Sequence, residues 1–235
     1  MRLYLSSERL GERARALLAM VPERRQEKLQ DFSGSATRQT RTFGRVAVIA
    51  NGYDGASSMA REIYRAEVYD PMAEFASLGL EPEALDLRAH FGDAQSLRSR
   101  LAAYDLVWVM GGNSFVLRRA MKQSGFDHVI RDLLDEDAIA YGGYAAGAVV
   151  AGPSLRGLEL MDDPFELPEG YDEPLVWSGL GLTPFAIVPH YRSRHPEAAA
   201  AEKVVSYMSA RKTRYRALSD GEVIVRVGNV ERLAS

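Results

Sequence analysis

Three short apolar runs, each ending in small residues, constrain this chain most. They are "RVAVIAN" (45–51), "DLVWVMGG" (105–112) and "AIAYGGY" (138–144). Their near-continuous apolar character is that of strands buried on both faces, not of half-exposed antiparallel strands. Helical patterns lie between them. Residues 57–79 have helical spacing, which Pro71 must end or kink near Tyr69 or Asp70. "AQSLRSRLAAY" (94–104) reads as a helix. Residues 114–136 read as one or two helices broken around Gly125. Further strands are expected at "RLYLSS" (2–7), "EALDL" (83–87) and "FAIVPHY" (185–191). "PEAAAAEKVVSYMSARK" (196–212) is rich in the best helix former.

The expected fold is α/β, a doubly wound, mostly parallel sheet with helices on both faces. "RYRALS", "GEVIVRVG" and "VERLA" add short antiparallel strands at the C-terminal end. The polar segment 31–44 reads as a connection, so residues 1–235 are taken as one domain.

Composition narrows the chemistry. A formal charge of −3 excludes a nucleic-acid binder driven by bulk charge. The absence of cysteine excludes disulfides, thiolate metal sites and cysteine nucleophiles. No apolar run is long enough for a membrane helix, and the N-terminus lacks the apolar centre of a signal peptide. A soluble, cytoplasmic protein is expected, with no metal, no other cofactor, no nucleic acid and no membrane. Monomer and homodimer are equally open.

In such a sheet, ligands bind outside the carboxyl ends of the strands. Three loops there stand out. Gly111-Gly112-Asn113-Ser114 offers backbone N–H groups to a ligand, or serves as a helix-capped turn. "YGGYAAGAVVAG" (141–152) has the frame of a nucleophile elbow, in which crowding by a strand-to-helix turn demands small neighbours. Close helix–sheet packing would demand the same. His190, alone among His90, His128, His190 and His195, sits at the carboxyl end of an apolar strand, where a general base belongs. His90 and His128 read as surface or partly buried residues, and His195 as a surface or cap residue. Glu159, Asp162, Asp163, Asp220 and Glu222 are candidate carboxylates to orient a base. Arg192 and Arg194 could grip an acidic substrate in a bidentate fork, or be solvated loop charges.

Together, "VMGGNSFVL" (109–117), "YGGYAAGAVVAGPSL" (141–155), "FAIVPHY" (185–191) and "ALSDGEVIVRVG" (217–228) resemble the aspartyl dipeptidase (peptidase E) and cyanophycinase family of serine hydrolases. The match extends from about residue 45 onward. The resemblance implies a fold related to class I glutamine amidotransferases and acyl-enzyme hydrolysis of short peptides. It places the nucleophile at Ala145, the base at His190 and the orienting acid at Asp220. The oxyanion hole falls on the N–H groups of Gly112 and Ala146, beside Asn113. A short peptide with an acidic N-terminal residue is the implied substrate. The segment after His190 is shorter than the family's, which puts that specificity in doubt.

The departure at residue 145 matters more. Alanine has no oxygen to attack with, and loss of a triad nucleophile costs on the order of a million-fold in rate. The chain as written is therefore expected to be inactive in covalent hydrolysis. Two origins fit: a deliberate serine-to-alanine substitution, which the intact surroundings favour, or a natural non-catalytic relative that binds a ligand. Ser114 and Ser154 lack elbow context. A nucleotide-binding reading of Gly111 and Gly112 ranks last, because no G-x-G-x-x-G or P-loop follows a strand.

Overall fold

The structure is a computed structural model that describes residues 1–22, 24–25, 41–42 and 44–234. Most of the connection expected at 31–44 lies outside the described residues.

The strands are β1 (Arg2–Ser6), β2 (Arg24–Arg25), β3 (Arg41–Thr42), β4 (Arg45–Ile49), β5 (Glu81–Ala84), β6 (Leu106–Val109), β7 (Ala140–Tyr144), β8 (Ala186–Val188), β9 (Tyr215–Ala217), β10 (Val223–Val227) and β11 (Val230–Ala234). The α-helices are α1 (Ala14–Leu18), α2 (Ser58–Ile63), α3 (Pro71–Ser77), α4 (Ala94–Leu101), α5 (Ser114–Gln123), α6 (Phe126–Asp135), α7 (Ala146–Val149) and α8 (Ala198–Ala210).

Seven strands form one sheet in the order β11-β10-β1-β7-β6-β4-β5. From β1 to β5 all pairings are parallel, while β10 pairs antiparallel with β1 and with β11. Both faces are buried, as the apolar runs require. Leu3, Leu5, Ala47, Ile49, Val107 and Val109 pack into one core. The alternate residues Tyr4, Val46, Val48, Leu106 and Trp108 pack into the other. Pro71 opens α3 with Asp70 as its N-cap, and Gly125, with φ 73°, separates α5 from α6. Both breaks fall where the sequence puts them.

One strand is placed differently. "FAIVPHY" supplies β8, which lies outside the main sheet and pairs in parallel with β9. The place beside β1 is taken by β10. Ala186 and Val188 owe their burial to a third core, with Phe115, Leu158, Ala201, Val204 and Met208. A short apolar run reports burial, not which partner supplies it. The C-terminal strands are accordingly mixed: β9 is parallel to its neighbour, β10 and β11 antiparallel to theirs.

The chain runs from β4 outward to β5, then returns past β4 to β6 and β7. The loops after β4 and β6 therefore meet at the point where strand order reverses. They meet closely: Asn113 N–H donates to Gly52 O at 2.8 Å. A Cβ on Gly112 would stand 2.4 Å from that carbonyl oxygen, so only glycine fits there.

Candidate active site

Ala145 stands between β7 and α7 with φ 46° and ψ −116°. A residue with a Cβ rarely adopts this conformation, and holding it costs about 1–3 kcal/mol. The surroundings impose it. Ala145 N–H points back to the carbonyls of Ser6 and Ser7 at 3.3 and 3.2 Å, while Ala145 O accepts from Ala148 and Val149 in α7. The turn is sharp enough to bring Gly143 against Gly147: a Cβ on Gly143 would lie 2.8 Å from the Gly147 carbonyl. Gly142 is forced separately, since its Cβ would enter the Trp108 ring at 2.6 Å. The glycines of the stretch thus answer to different contacts.

His190 follows β8 and is itself held at φ 60°. It is 2% exposed. Its Nδ1 lies 2.8 Å from Asp220 Oδ1. Burial alone would raise the Asp220 carboxyl, but hydrogen bonds from His190 and Ser7 and the nearby imidazoles hold it below the usual carboxylate value. An ionised Asp220 can only accept, so Nδ1 of His190 carries the proton of this bond and Nε2 is the nitrogen left to work as a base. Nε2 lies 4.0 Å from Glu197 Oε2, beyond hydrogen-bond reach. Glu222 instead accepts from Ser219 N–H, and Glu159 from Gly157 N–H, so neither orients His190.

Ser7, which no sequence motif singles out, is the joint of the site. It is fully buried at the end of β1. Its Oγ accepts from His190 N–H at 2.8 Å and donates to Asp220 Oδ1 at 2.9 Å. Its carbonyl receives Ala145 N–H. One residue thereby ties all three positions together. Ser7→Ala should destabilise the fold by about 1–3 kcal/mol, because a buried N–H and a carboxylate oxygen lose a partner. Urea denaturation against the parent measures this.

A cavity of about 430 Å³ opens over Ala145, lined also by Gly112, Asn113, Tyr144, Ala146, His190 and His195. The N–H groups of Gly112 and Ala146 donate to no acceptor among the described residues. Tyr144 OH lies 3.3 Å from Tyr53 OH and 3.1 Å from Tyr64 OH. Burial first, then these neighbouring phenols, raise Tyr144 well above its ordinary value, so the cluster is neutral.

The remaining candidates divide. Asn113 borders the cavity, but its Oδ1 caps α5 and its Nδ2 donates to Asp163 O and Glu166 Oε2. Arg192 and Arg194 are exposed and do not line the cavity; the Arg192 guanidinium lies 5.0 Å over the Tyr191 ring. Ser114 donates to Asp162 at 2.6 Å, and Ser154 points to Trp177 O. His128 is exposed, and His90 is bound to Ser96. His195 serves as a cap at the start of α8, its Nδ1 accepting from Glu197 N–H at 3.2 Å, and it also meets His190. Its ring stacks on His190, with centroids 3.6 Å apart and planes 10° from parallel. His190, His195 and Glu197 bring three metal-ligating groups within 4.8 Å. An imidazole binds an ion in its own ring plane, so two stacked rings in this pose cannot share one.

In sequence, Asp162 and Asp163 stand out only as candidate partners for a base. Both line the cavity instead, with Glu8, Glu166 and Glu197. Burial raises the Asp162 carboxyl to about 6; hydrogen bonds from Ser114 oppose this, and the charges of Glu197 and Glu166 add to it. A carboxyl raised above its unfolded value binds more protons folded than unfolded. Its ionisation therefore lowers stability as pH rises from about 4 toward 6. Asp162→Asn should flatten that part of the stability profile, read from chemical denaturation at pH 4, 5, 6 and 7.

The sequence profile described as "Peptidase family S51" matches residues 54–233. The chain belongs to peptidase family S51. Within S51, it is 27% identical over 152 residues to an uncharacterized peptidase of Listeria monocytogenes, covering 64% of this chain and 69% of that one. It is 26% identical over 179 residues to an uncharacterized peptidase of Pasteurella multocida, covering 76% and 77%. It is 36% identical over 98 residues to peptidase E of Streptomyces coelicolor, covering 42% and 37%. A solved structure of a Listeria monocytogenes EGD-e protein, provisionally named peptidase E, has a TM-score of 0.67 at 22% identity. It covers 99% of this chain and 97% of that one, and so shares the fold. Among the described residues, no helix of this S51 chain is long and apolar enough to cross a membrane.

Proposed function

We propose that this chain is a peptidase E-like serine-hydrolase framework that binds short peptides and, with alanine at 145, does not cleave them. The observation that carries the reading is the backbone of Ala145, φ 46° and ψ −116°. Such strain at a cavity wall, in a residue with no side-chain chemistry of its own, is explained by the job of presenting a nucleophile. With serine there, His190 Nε2 would take the hydroxyl proton as oxygen attacks the peptide carbonyl. Asp220 would hold the imidazole and stabilise its charged form. The N–H groups of Gly112 and Ala146 would receive the developing oxyanion. His190 would then return the proton to the leaving amine, and water would release the acyl group by the same route.

Residues 1–235 act in this reading as one domain, since β1, β7, β8 and the turn before β10 all contribute. Either origin of Ala145 leaves the reading unchanged. The chain as it stands keeps a peptide-sized cavity with unsatisfied donors and a free imidazole nitrogen, which suits holding a peptide intact. A fluorophosphonate probe tests the framework without knowledge of substrate. Ala145→Ser should be labelled covalently at residue 145, and the parent chain should not. An unlabelled, folded serine variant would sink the reading.

A further inference from the structure

The charge of the cavity is one-sided. Among the described residues, Glu8, Asp162, Asp163, Glu166 and Glu197 line it and no lysine or arginine does. Among the described residues, no lysine or arginine stands within 4.0 Å of the carboxylates of Asp162, Asp163, Glu166 or Glu197. Asp162 feels the charges of Glu197 and Glu166. Their hydrogen bonds are neutral: Asp162 accepts from Ser114, and Glu166 from Asn113. The segment is pinned in place, since Arg119 donates to the backbone carbonyls of Pro164 and Glu166. That a ligand belongs here is indicated independently. His190 is 2% exposed and lines the cavity, and among the described residues its Nε2 has no hydrogen-bond partner.

We propose that this pocket selects cationic peptides, those whose first residue carries a lysine or arginine side chain beside the free α-ammonium, and disfavours an N-terminal aspartate. The inference rests on the reading of the cavity as a peptide site. A peptide carbonyl held by Gly112 and Ala146 N–H brings its own α-ammonium within two bonds of the reacting carbon. One ammonium offsets one carboxylate. Asp162, Glu166 and Glu197 leave further negative charge that a side-chain cation can meet and that an aspartate side chain can only repel. The two arginines that would serve an acidic substrate, Arg192 and Arg194, lie outside the cavity.

The chain's own alanine makes the test direct, because a bound peptide is not consumed. Isothermal titration at pH 7.5 and low salt would compare Lys-Ala, Ala-Ala and Asp-Ala on the unaltered chain. Lys-Ala should bind at least about tenfold tighter than Asp-Ala, with Ala-Ala between them. Glu197→Gln, on an exposed residue at the start of α8, should reduce that ratio several-fold without loss of fold. Asp162→Asn with Glu166→Gln should reduce it further. Equal or tighter binding of Asp-Ala overturns the proposal, as does a preference unchanged in both variants. Absence of binding by all three peptides at millimolar concentration overturns it as well. Fluorophosphonate labelling of Ala145→Ser reports on the hydrolase framework separately, so labelling without a lysine preference sinks only this inference.

Discussion

Ala145→Ser should convert a chain proposed to hold short peptides intact into one that turns them over. The gain over the parent should be on the order of a million-fold, the scale set by nucleophile removal in other triad hydrolases. The folded frame supports so large an effect because only one atom is missing. The backbone at 145 already has φ 46°, His190 Nδ1 already lies 2.8 Å from Asp220 Oδ1, and the N–H groups of Gly112 and Ala146 already lack acceptors among the described residues. A β-hydroxyl adds little volume beside a methyl that already borders a cavity, so thermal stability should stay within about 1 kcal/mol of the parent. In the serine background, His190→Ala should return the rate to that of the parent. Asp220→Asn should lower it by about four orders of magnitude, through the wrong tautomer of His190. The assay is release of free amino acids from a dipeptide panel that includes Lys-Xaa, Ala-Xaa and Asp-Xaa. A folded serine variant with no turnover on any of them, and no probe labelling, would mean the elbow is only a packing device.

The legible parts of this chain are those where one physical demand acts on a contiguous stretch. The strand β6 is apolar at every residue because both of its faces are covered, and that shows without a structure. The breaks at Pro71 and Gly125 are local backbone chemistry. The pairing of His190 with Asp220 was reachable only because "VPHY" and "LSDG" are recognisable together. Where the demand comes from distant parts of the chain, the sequence is mute. Ser7 reads as an ordinary residue after a strand, yet it joins β1 to the segments at 145, 190 and 220. The apolar run of β8 looks like part of the main sheet, because burial beneath α8 produces the same residues. The acidic wall is the clearest case. Asp162 and Glu166 follow the elbow helix, and Glu197 opens α8 thirty residues later. Each alone is an unremarkable surface acid. Only their convergence around one cavity with Ala145 carries the proposed preference for a cationic substrate, and convergence is a property of the fold.

Gly147→Ala should destabilise the chain by about 2 kcal/mol, although helix propensity alone predicts the opposite sign. Gly147 is inside α7, where alanine is favoured over glycine by about 1 kcal/mol. Against that, a Cβ at 147 would stand 2.1 Å from Val109 O and 2.8 Å from Val109 C, both backbone atoms of β6. Backbone cannot swing aside as a side-chain tip can, so α7 must lift from the sheet, and overpacking of this kind costs about 1–3 kcal/mol or more. The steric cost wins, and it acts where function would feel it. Val109 leads directly into Gly111 and Gly112, while α7 carries Ala146. Separating the two would widen the gap between the two proposed oxyanion donors. In the serine background, the same change should therefore lower kcat far more than it raises KM. Gly92→Ala is the control: it also adds a methyl to a glycine, but at φ 75° with no atom within 4 Å, so its cost should be near 1 kcal/mol. Equilibrium denaturation of both variants separates contact from conformation. A Gly147→Ala protein as stable as its parent would show that the helix is not pressed against β6, and the close approach that fixes the elbow would have to be abandoned.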